Sequence, residues 1–273
     1  MNPATGLEIF SLNSKTAIVT GACGLLGRKH CEILAAAGAR VAVADINEEK
    51  CLDFANELGK NHIALHLDVT QSDSLKKAHE KLMRHFGRID ILVNNAAMPD
   101  SFEHPDLGPE SSGFENYPLS LFQKAMDVNV TGVFLCSQVF GKTMADQKSG
   151  SIINIASTYG MVGPDQSIYI DNNGKRRMYK SPVYPTTKGA VINFTRYLAS
   201  YWGNKGVRVN SLSPGGVENQ QDDFFVENYA KKTLLGRMAQ PTDYQGALLF
   251  LASSASSYMT GANLVVDGGW TAI

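Results

Sequence analysis

Three glycines offer the first recognisable chemistry in this chain. Gly21, Gly24 and Gly27 fall in the run TGACGLLG, Thr20 to Gly27, after the apolar run TAIVT and before a helix-length segment. Glycine lets a backbone turn tightly and approach a ligand closely. A helix N-terminus adds unpaired N–H groups and the positive end of a dipole. A loop of this kind between a first strand and a first helix suits a pyrophosphate, and that context sets it apart from an ordinary tight turn. Asp45 closes the next apolar run, roughly 20 positions past the loop, where a carboxylate can accept hydrogen bonds from ribose hydroxyls. A 2′-phosphate there would meet a like charge, which favours NAD over NADP. Asp45 also suits the N-cap of a helix starting near Glu48, and the two roles are compatible. Asp68 closes the third run, where it can meet an adenine amino group or cap the following helix.

Positioning these groups requires a particular architecture. Thr16–Thr20, Arg40–Ala44, His62–Leu67, Ile89–Val93, Ser151–Ile155, Val207–Leu212 and Asn263–Val266 read as strands. Most are unbroken in hydrophobicity rather than alternating, as expected of a parallel sheet covered on both faces. Helix-length segments such as Gly27–Ala37 and Asp73–Phe86 lie between them. The alternation predicts an α/β fold, a doubly wound parallel sheet of about seven strands with helices on both faces. Ligands of such sheets bind beyond the C-terminal strand ends, where strand order reverses.

Bulk properties narrow the function. The 273 residues carry a formal net charge of −1, which argues against a nucleic acid or an anionic membrane as partner. No linker-like stretch divides the chain, so residues 1–273 are expected to form one dinucleotide-binding and catalytic domain. The four cysteines, Cys23, Cys31, Cys51 and Cys136, form no CxxC pair and fit reduced thiols. The N-terminal segment has no signal-peptide pattern and no stretch is apolar enough to span a membrane, so the expected location is the cytoplasm. His104 has no second ligand at metal-binding spacing, and no metal is expected.

Taken in order, TGACGLLG, Asp45, Asp68, NNAA at Asn94–Ala97, Asn129 in NVTG, Ser157 in NIAST, YPTTK at Tyr184–Lys188, SPGG at Ser213–Gly216, and TG then DGG near the C-terminus resemble the short-chain dehydrogenase/reductase family. The resemblance covers nearly the whole chain and implies the Rossmann fold in its compact, single-domain form. It implies Tyr184 as general acid/base, Lys188 as its electrostatic partner and a ribose ligand, Ser157 as the hydroxyl that orients the reacting oxygen, and Asn129 as the anchor of a proton-relay water. Gly21, Gly24, Leu26, Gly27, Asp45, Ile46, Asp68, Val69, Asn95, Ala96, Pro214, Gly215 and Val217 would line the cofactor together with Tyr184 and Lys188. The implied activity is NAD(H)-dependent interconversion of a secondary alcohol and a ketone. The helix after Asn129 and the helix carrying Tyr184 resemble the family's interface helices, which implies a homo-oligomer, a tetramer or a dimer. The charges agree with the implied chemistry. Tyr184 and Lys188 are four apart and share a helix face. Bringing a tyrosine from about 10 to near 7 needs roughly 4 kcal/mol. One cation at about 4 Å and intermediate dielectric supplies that much.

The chain departs from the pattern in three places. Gly24 stands fifth in the loop, as in the family's extended branch, which includes epimerases and dehydratases. Ala97 replaces a usual glycine, and Asn219 stands where PGxxxT expects threonine. An epimerase or dehydratase acting on a sugar, and a non-catalytic NAD-binding sensor, therefore stand as alternative functions. Insertions near 98–118, 166–181 and 218–240 fall on the ligand side. The second, with Ser167–Ile170 and Arg177–Lys180 flanking DNNG, reads as a β-hairpin. Lys175 and Arg177 would share one face of it and could grip an anion, or be ordinary surface charge. The third reads as a lid, with Phe224 and Phe225 covering substrate or forming its inner packing face. Thr158, beside Ser157, is a further substrate candidate. These polar insertions favour a small polar metabolite: a sugar, a sugar phosphate or a hydroxy acid.

Overall fold

The computed structural model describes residues 6–98 and 109–273. Seven strands form one sheet: β1 (Thr16–Thr20), β2 (Arg40–Asp45), β3 (Ile63–His66), β4 (Ile91–Asn94), β5 (Gly150–Ile155), β6 (Val207–Pro214) and β7 (Asn263–Val266). Their order is β3-β2-β1-β4-β5-β6-β7, and every pairing is parallel. The seven apolar runs of the sequence each form a strand, with ends moved by no more than two residues. Every residue of β1 and β4 is buried, as central strands covered on both faces must be. Strand order reverses between β1 and β4, so the ligand crevice of a doubly wound sheet opens at Thr20 and Asn94.

The longer helices are α1 (Leu25–Ala36), α2 (Glu48–Leu58), α3 (Ser72–Phe86), a long helical run α4 over 119–147, α5 (Val183–Trp202), α6 (Asp223–Ala230) and α7 (Gln245–Ala252). Cys31 and Leu34 of α1, Phe54 of α2 and Leu248 and Leu251 of α7 pack on one sheet face. Leu75 and Leu82 of α3, Phe140 and Met144 of α4 and Leu198 and Trp202 of α5 pack on the other. A buried polar chain ties the sheet to the second layer. Asn94 donates to Asn154 at 2.8 Å and to Ser137 at 3.1 Å, and Asn154 donates to Thr195 of α5 at 2.9 Å. Buried amides of this kind are costly unless paired, so the chain fixes how α5 sits against β5.

The expected hairpin at 166–181 is reduced to one antiparallel bridge around its turn, where the Asp171 amide donates to the Lys175 carbonyl and the Arg177 amide to the Tyr169 carbonyl, both at 2.9 Å, and the flanking strands do not form. Gln166–Tyr169 is a 3-10 turn, begun by Asp165, whose Oδ1 accepts from the Ser167 amide at 2.9 Å. The DNNG turn itself is present, with Gly174 at φ +75° and its amide donating to the Asp171 carbonyl at 2.9 Å. Between the two arms, the one bridge outside the named strands is Ile170 to Arg176. The reason lies in adjacent burial: Ile168 is 1% exposed and Tyr169 2%. Both pack into one cluster with Phe225 and Tyr229, and the Asp165 side chain starts a 3-10 turn there in place of a strand. Within 98–118, Glu103 and His104 lie outside the described residues. Asn116 donates to the Glu110 carbonyl at 3.1 Å, and Ser112 accepts from the Tyr179 amide at 2.9 Å, which packs this segment onto 166–181. The 218–240 segment carries α6, whose Phe225 and Tyr229 are buried against Tyr169 and Trp270.

Candidate active site

The glycine loop is shaped by its own backbone. Gly21 adopts φ +62°, and a Cβ there would lie 2.7 Å from the Ala96 Cα. A Cβ on Gly27 would lie 2.1 Å from the Gly21 carbonyl oxygen. Gly24 differs. Its nearest neighbour to an added Cβ is at 3.4 Å, an ordinary contact, and it is the N-cap of α1 with no side chain to satisfy the first-turn N–H groups. Its smallness leaves open the space in front of those donors, as a phosphate cradle requires.

Thr20 locks the switch point. Its Oγ1 accepts from the amides of Asn95 (3.1 Å) and Ala96 (3.0 Å). The Asn95 side chain returns two bonds at 3.0 Å to the carbonyls of Thr20 and Gly21. Asp45 ends β2 with Oδ2 accepting from the Cys23 amide at 3.0 Å and Oδ1 from the Asn47 amide at 3.2 Å. It does not cap α2, because Asn47 does, accepting from the Lys50 amide at 2.9 Å. Nor does Asp68 cap α3. Its Oδ1 accepts from the Thr70 amide and hydroxyl at 2.9 and 2.7 Å, and Gln71 occupies the cap position.

A cleft of about 830 Å³ runs along these groups, from Asp45, Ile46, Asp68 and Val69 past Gly21, Gly24, Leu26 and Gly27 to Asn95, Ala96, Tyr184 and Val217. A smaller cleft of about 280 Å³ shares Leu26, Asn95, Tyr184 and Val217 with it. Ser157, Thr158, Lys188, Pro214, Gly215 and Phe225 line this inner space. Lys188 is buried and its Nζ donates to the Ile155 carbonyl at 2.8 Å, 5.7 Å from the centre of the Tyr184 ring. Burial pushes its ammonium below the usual lysine range, and neighbouring Tyr184 opposes that shift. Ser157 lines the same inner cleft as the pair, and the turn that follows it, Thr158–Gly160, abuts α5. A Cβ on Gly160 would lie 2.7 Å from the Lys188 carbonyl carbon. The Ser157 hydroxyl accepts from the Tyr159 amide at 3.2 Å.

Four expected site residues lie elsewhere. Asn129 sits in a π-helical stretch of α4, Asp127–Thr131, buried outside both clefts. It accepts from the Met98 amide at 2.7 Å and donates to Thr187 at 3.3 Å, joining the segment after β4 to α5. Arg177 pairs with Asp171 at 2.7 Å, Lys175 is exposed, and Phe224 packs at the edge of the aromatic cluster. Lys180 instead lines both clefts. Thr20, Gly160 and Lys180 thus shape or line this region beyond the residues that the sequence reading named. Thr20 has a sequence signal, as the last residue of β1 before the glycine loop.

The residues present fit a nicotinamide dinucleotide: a Cβ-excluding loop, an uncapped helix start, a carboxylate at the end of β2 and a long cleft leading to a tyrosine–lysine pair. Among the described residues no group of three or more His, Cys, Asp or Glu could hold a metal, and no helix is long and apolar enough to cross a membrane.

A family model described as enoyl-(acyl carrier protein) reductase matches residues 21–271. A 3-alpha-(or 20-beta)-hydroxysteroid dehydrogenase of Mycobacterium bovis is 36% identical over 261 residues, covering 96% of this chain and 91% of that protein. A D-threitol dehydrogenase of Mycolicibacterium smegmatis is 33% identical over 270 residues, covering 96% and 95%. The crystal structure of a gluconate 5-dehydrogenase from Burkholderia cenocepacia, in complex with NADP and tartrate, superposes with a TM-score of 0.85 at 30% identity, covering 98% of this chain and 99% of that one. With the ordered motifs, the parallel sheet and the cleft, these likenesses show that the chain belongs to the short-chain dehydrogenase/reductase family, oxidoreductases that act on alcohols with a nicotinamide cofactor.

Proposed function

We propose that this enzyme interconverts a secondary alcohol and a ketone on a small polar metabolite, with NAD(H) as its preferred cofactor. The observation that carries the reading is the convergence of Ser157, Tyr184 and Lys188 on an inner cleft that adjoins the dinucleotide cleft. When bound, a nicotinamide supplies or takes up the hydride. The protein's own part is the proton. The Tyr184 phenolate takes it from the alcohol, or the Tyr184 phenol gives it to the ketone oxygen, and the Lys188 cation favours the ionised form. The Ser157 hydroxyl holds the reacting oxygen against Tyr184. Asn129, outside the cleft, acts as a positioning residue by tying Met98 to Thr187 beside Lys188.

Cofactor preference follows from the adenosine end of the large cleft. Asp45 and Asp68 line it, and the one cation among its described lining residues, Lys180, belongs to the Tyr184 end shared with the inner cleft. A 2′-phosphate beside Asp45 would meet like charge, with no cation beside Asp45 among the cleft's described lining residues. The gluconate 5-dehydrogenase holds NADP, so this preference belongs to the residues of this chain rather than to the likeness. Substrate size follows from the inner cleft, whose volume of about 280 Å³ lies at the lower limit for ligand pockets. Association of copies is supported by an aromatic row on α5, where half-buried Phe194 and exposed Tyr197 and Tyr201 stack in sequence at 6.2 and 6.0 Å.

A panel of alditols, aldoses, hydroxy acids and sterols, each assayed with NAD and with NADP for reduced-cofactor absorbance, tests the reading. It expects turnover of small polar alcohols with NAD. Turnover of sterols alone, or none with either cofactor, overturns it.

A further inference from the structure

Three of the four cysteines pack into the core behind the glycine loop. Cys23 stands in the loop itself, between Gly21 and Gly24, and is half-buried. Cys51 on α2 and Cys31 on α1 are buried in the same cluster, while Cys136 lies on the other sheet face. All four are free thiols. The Cys23 and Cys51 sulfurs are 3.8 Å apart. A disulfide holds its sulfurs at about 2 Å, so bonding asks for side-chain rotation and a small approach of loop to helix. Neither thiol lines either cleft, and the proton chemistry uses neither.

The pair bridges the elements that shape the adenosine end of the large cleft. The Cys23 amide donates to Asp45 Oδ2 at 3.0 Å, and the Cys51 Sγ lies 3.9 Å from the Asp45 carbonyl oxygen and 3.6 Å from that of Leu65. Gly24, the next residue after Cys23, is the N-cap of α1, whose first-turn N–H groups have no side-chain cap. The loop has little slack, because a Cβ on Gly21 or Gly27 would strike backbone. A pull on Cys23 toward α2 is therefore passed to Asp45 and to the start of α1 rather than absorbed.

We propose that Cys23 and Cys51 are a modification site: a low-molecular-weight disulfide such as oxidised glutathione converts them to an intramolecular disulfide, and that bond weakens cofactor binding. The Cys23 thiolate, the more accessible of the two, attacks the small disulfide, forming a mixed disulfide and expelling one thiolate. The Cys51 thiolate then attacks the Cys23 sulfur and expels the second. The protein gives up two protons and two electrons, and two molecules of the small thiol are formed. Burial pushes both thiols above the usual cysteine range; at Cys23 the Asp45 carboxylate adds to the rise, and Arg28 and Lys50 oppose it. Exchange is therefore slow, since the thiolate is the attacking form. Proximity, not thiol acidity, selects Cys51 as the partner.

The test incubates the protein with oxidised glutathione, follows intact mass and peptide maps, and titrates whichever of NADH and NADPH binds the reduced protein more tightly. The wild type is expected to lose the mass of two hydrogens and to yield a cross-linked peptide joining Cys23 to Cys51. It should then bind that cofactor at least about tenfold more weakly, the worth of one charge-assisted bond. Dithiothreitol should restore the affinity. Cys51→Ala should take up at most one glutathione, at Cys23, and form no cross-link. Cys23→Ala should form no cross-link and keep its affinity through the same treatment. Glutathione adducts without the cross-link in the wild type, a cross-link to Cys31 instead, a Cys23–Cys51 cross-link with unchanged affinity, or an equal loss of affinity in Cys23→Ala overturns the proposal.

Discussion

Replacing Asp45 by asparagine removes a charge while preserving shape, and the structure shows why asparagine rather than alanine is the informative change. The carboxylate has a structural task, accepting from the Cys23 amide at 3.0 Å and the Asn47 amide at 3.2 Å. Asparagine keeps a carbonyl oxygen for the glycine loop, whereas alanine would release it. Toward NAD, charge-assisted bonds from the ribose hydroxyls are worth about 1.5–3 kcal/mol, and a neutral amide retains about half of that. Toward NADP, two like charges at about 4 Å repel by roughly 4 kcal/mol at an effective dielectric of about 20. Solvent screening at this half-buried position reduces the repulsion to about 1–2 kcal/mol. The losses and gains together should shift the NAD-to-NADP ratio of kcat/KM by about 2–3.5 kcal/mol, or roughly 30- to 400-fold. Initial rates with both cofactors, on one substrate, measure it. A wild type that favours NADP, or a ratio that moves by less than about threefold in the variant, would refute the electrostatic account of Asp45.

Two further outcomes separate the site from its scaffold. Gly27→Ala should lower both thermal stability and NADH affinity, the latter by about tenfold or more, because its Cβ would strike backbone at 2.1 Å. Gly24→Ala should lower NADH affinity with little change in melting temperature, because its Cβ meets nothing closer than 3.4 Å within the protein. Finally, His30 is fully buried with both ring nitrogens unpaired, and burial pushes its pKa down to about 4. The unfolded chain takes up this proton below about 6.5 while the folded protein does not until near 4, so stability is complete above 6.5 and falls as pH drops through that window. Urea unfolding should show a loss of about 2 kcal/mol between pH 7 and pH 5, and His30→Leu should flatten that slope. A slope unchanged in the variant would assign the acid sensitivity elsewhere.

The parts of the site that were legible in the sequence are those whose meaning is local. Gly21, Gly24 and Gly27 act within a single turn, and Asp45 is read from its place at the end of a strand that is buried and apolar from Val41 to Ala44. Tyr184 and Lys188 are one helical turn apart, so their spacing alone places them together. Asn129 was legible as a position, but its bonds to Met98 and Thr187 depend on the π-helical stretch, which no periodicity announces. The DNNG turn was legible too, and its flanking strands were not. Four residues on each side looked extended, but Ile168 and Tyr169 are buried together and Asp165 starts a 3-10 turn instead. The same limit hid Lys180. Its position depends on Gln166, fourteen residues earlier, folding back to clamp it, whereas Lys175 and Arg177 drew attention because they stand beside a visible turn.

The most direct test of the account is a paired measurement on Tyr184→Phe: kcat on the best alcohol of the panel, and the Kd for NADH. The ring remains to fill the wall between the two clefts, and only the proton-transferring oxygen is lost. The account predicts a fall in kcat of at least about 10²-fold, the usual worth of acid–base catalysis, with NADH affinity nearly unchanged. Retention of more than about a tenth of wild-type turnover would contradict it, since the hydroxyl would then not be the group that moves the proton.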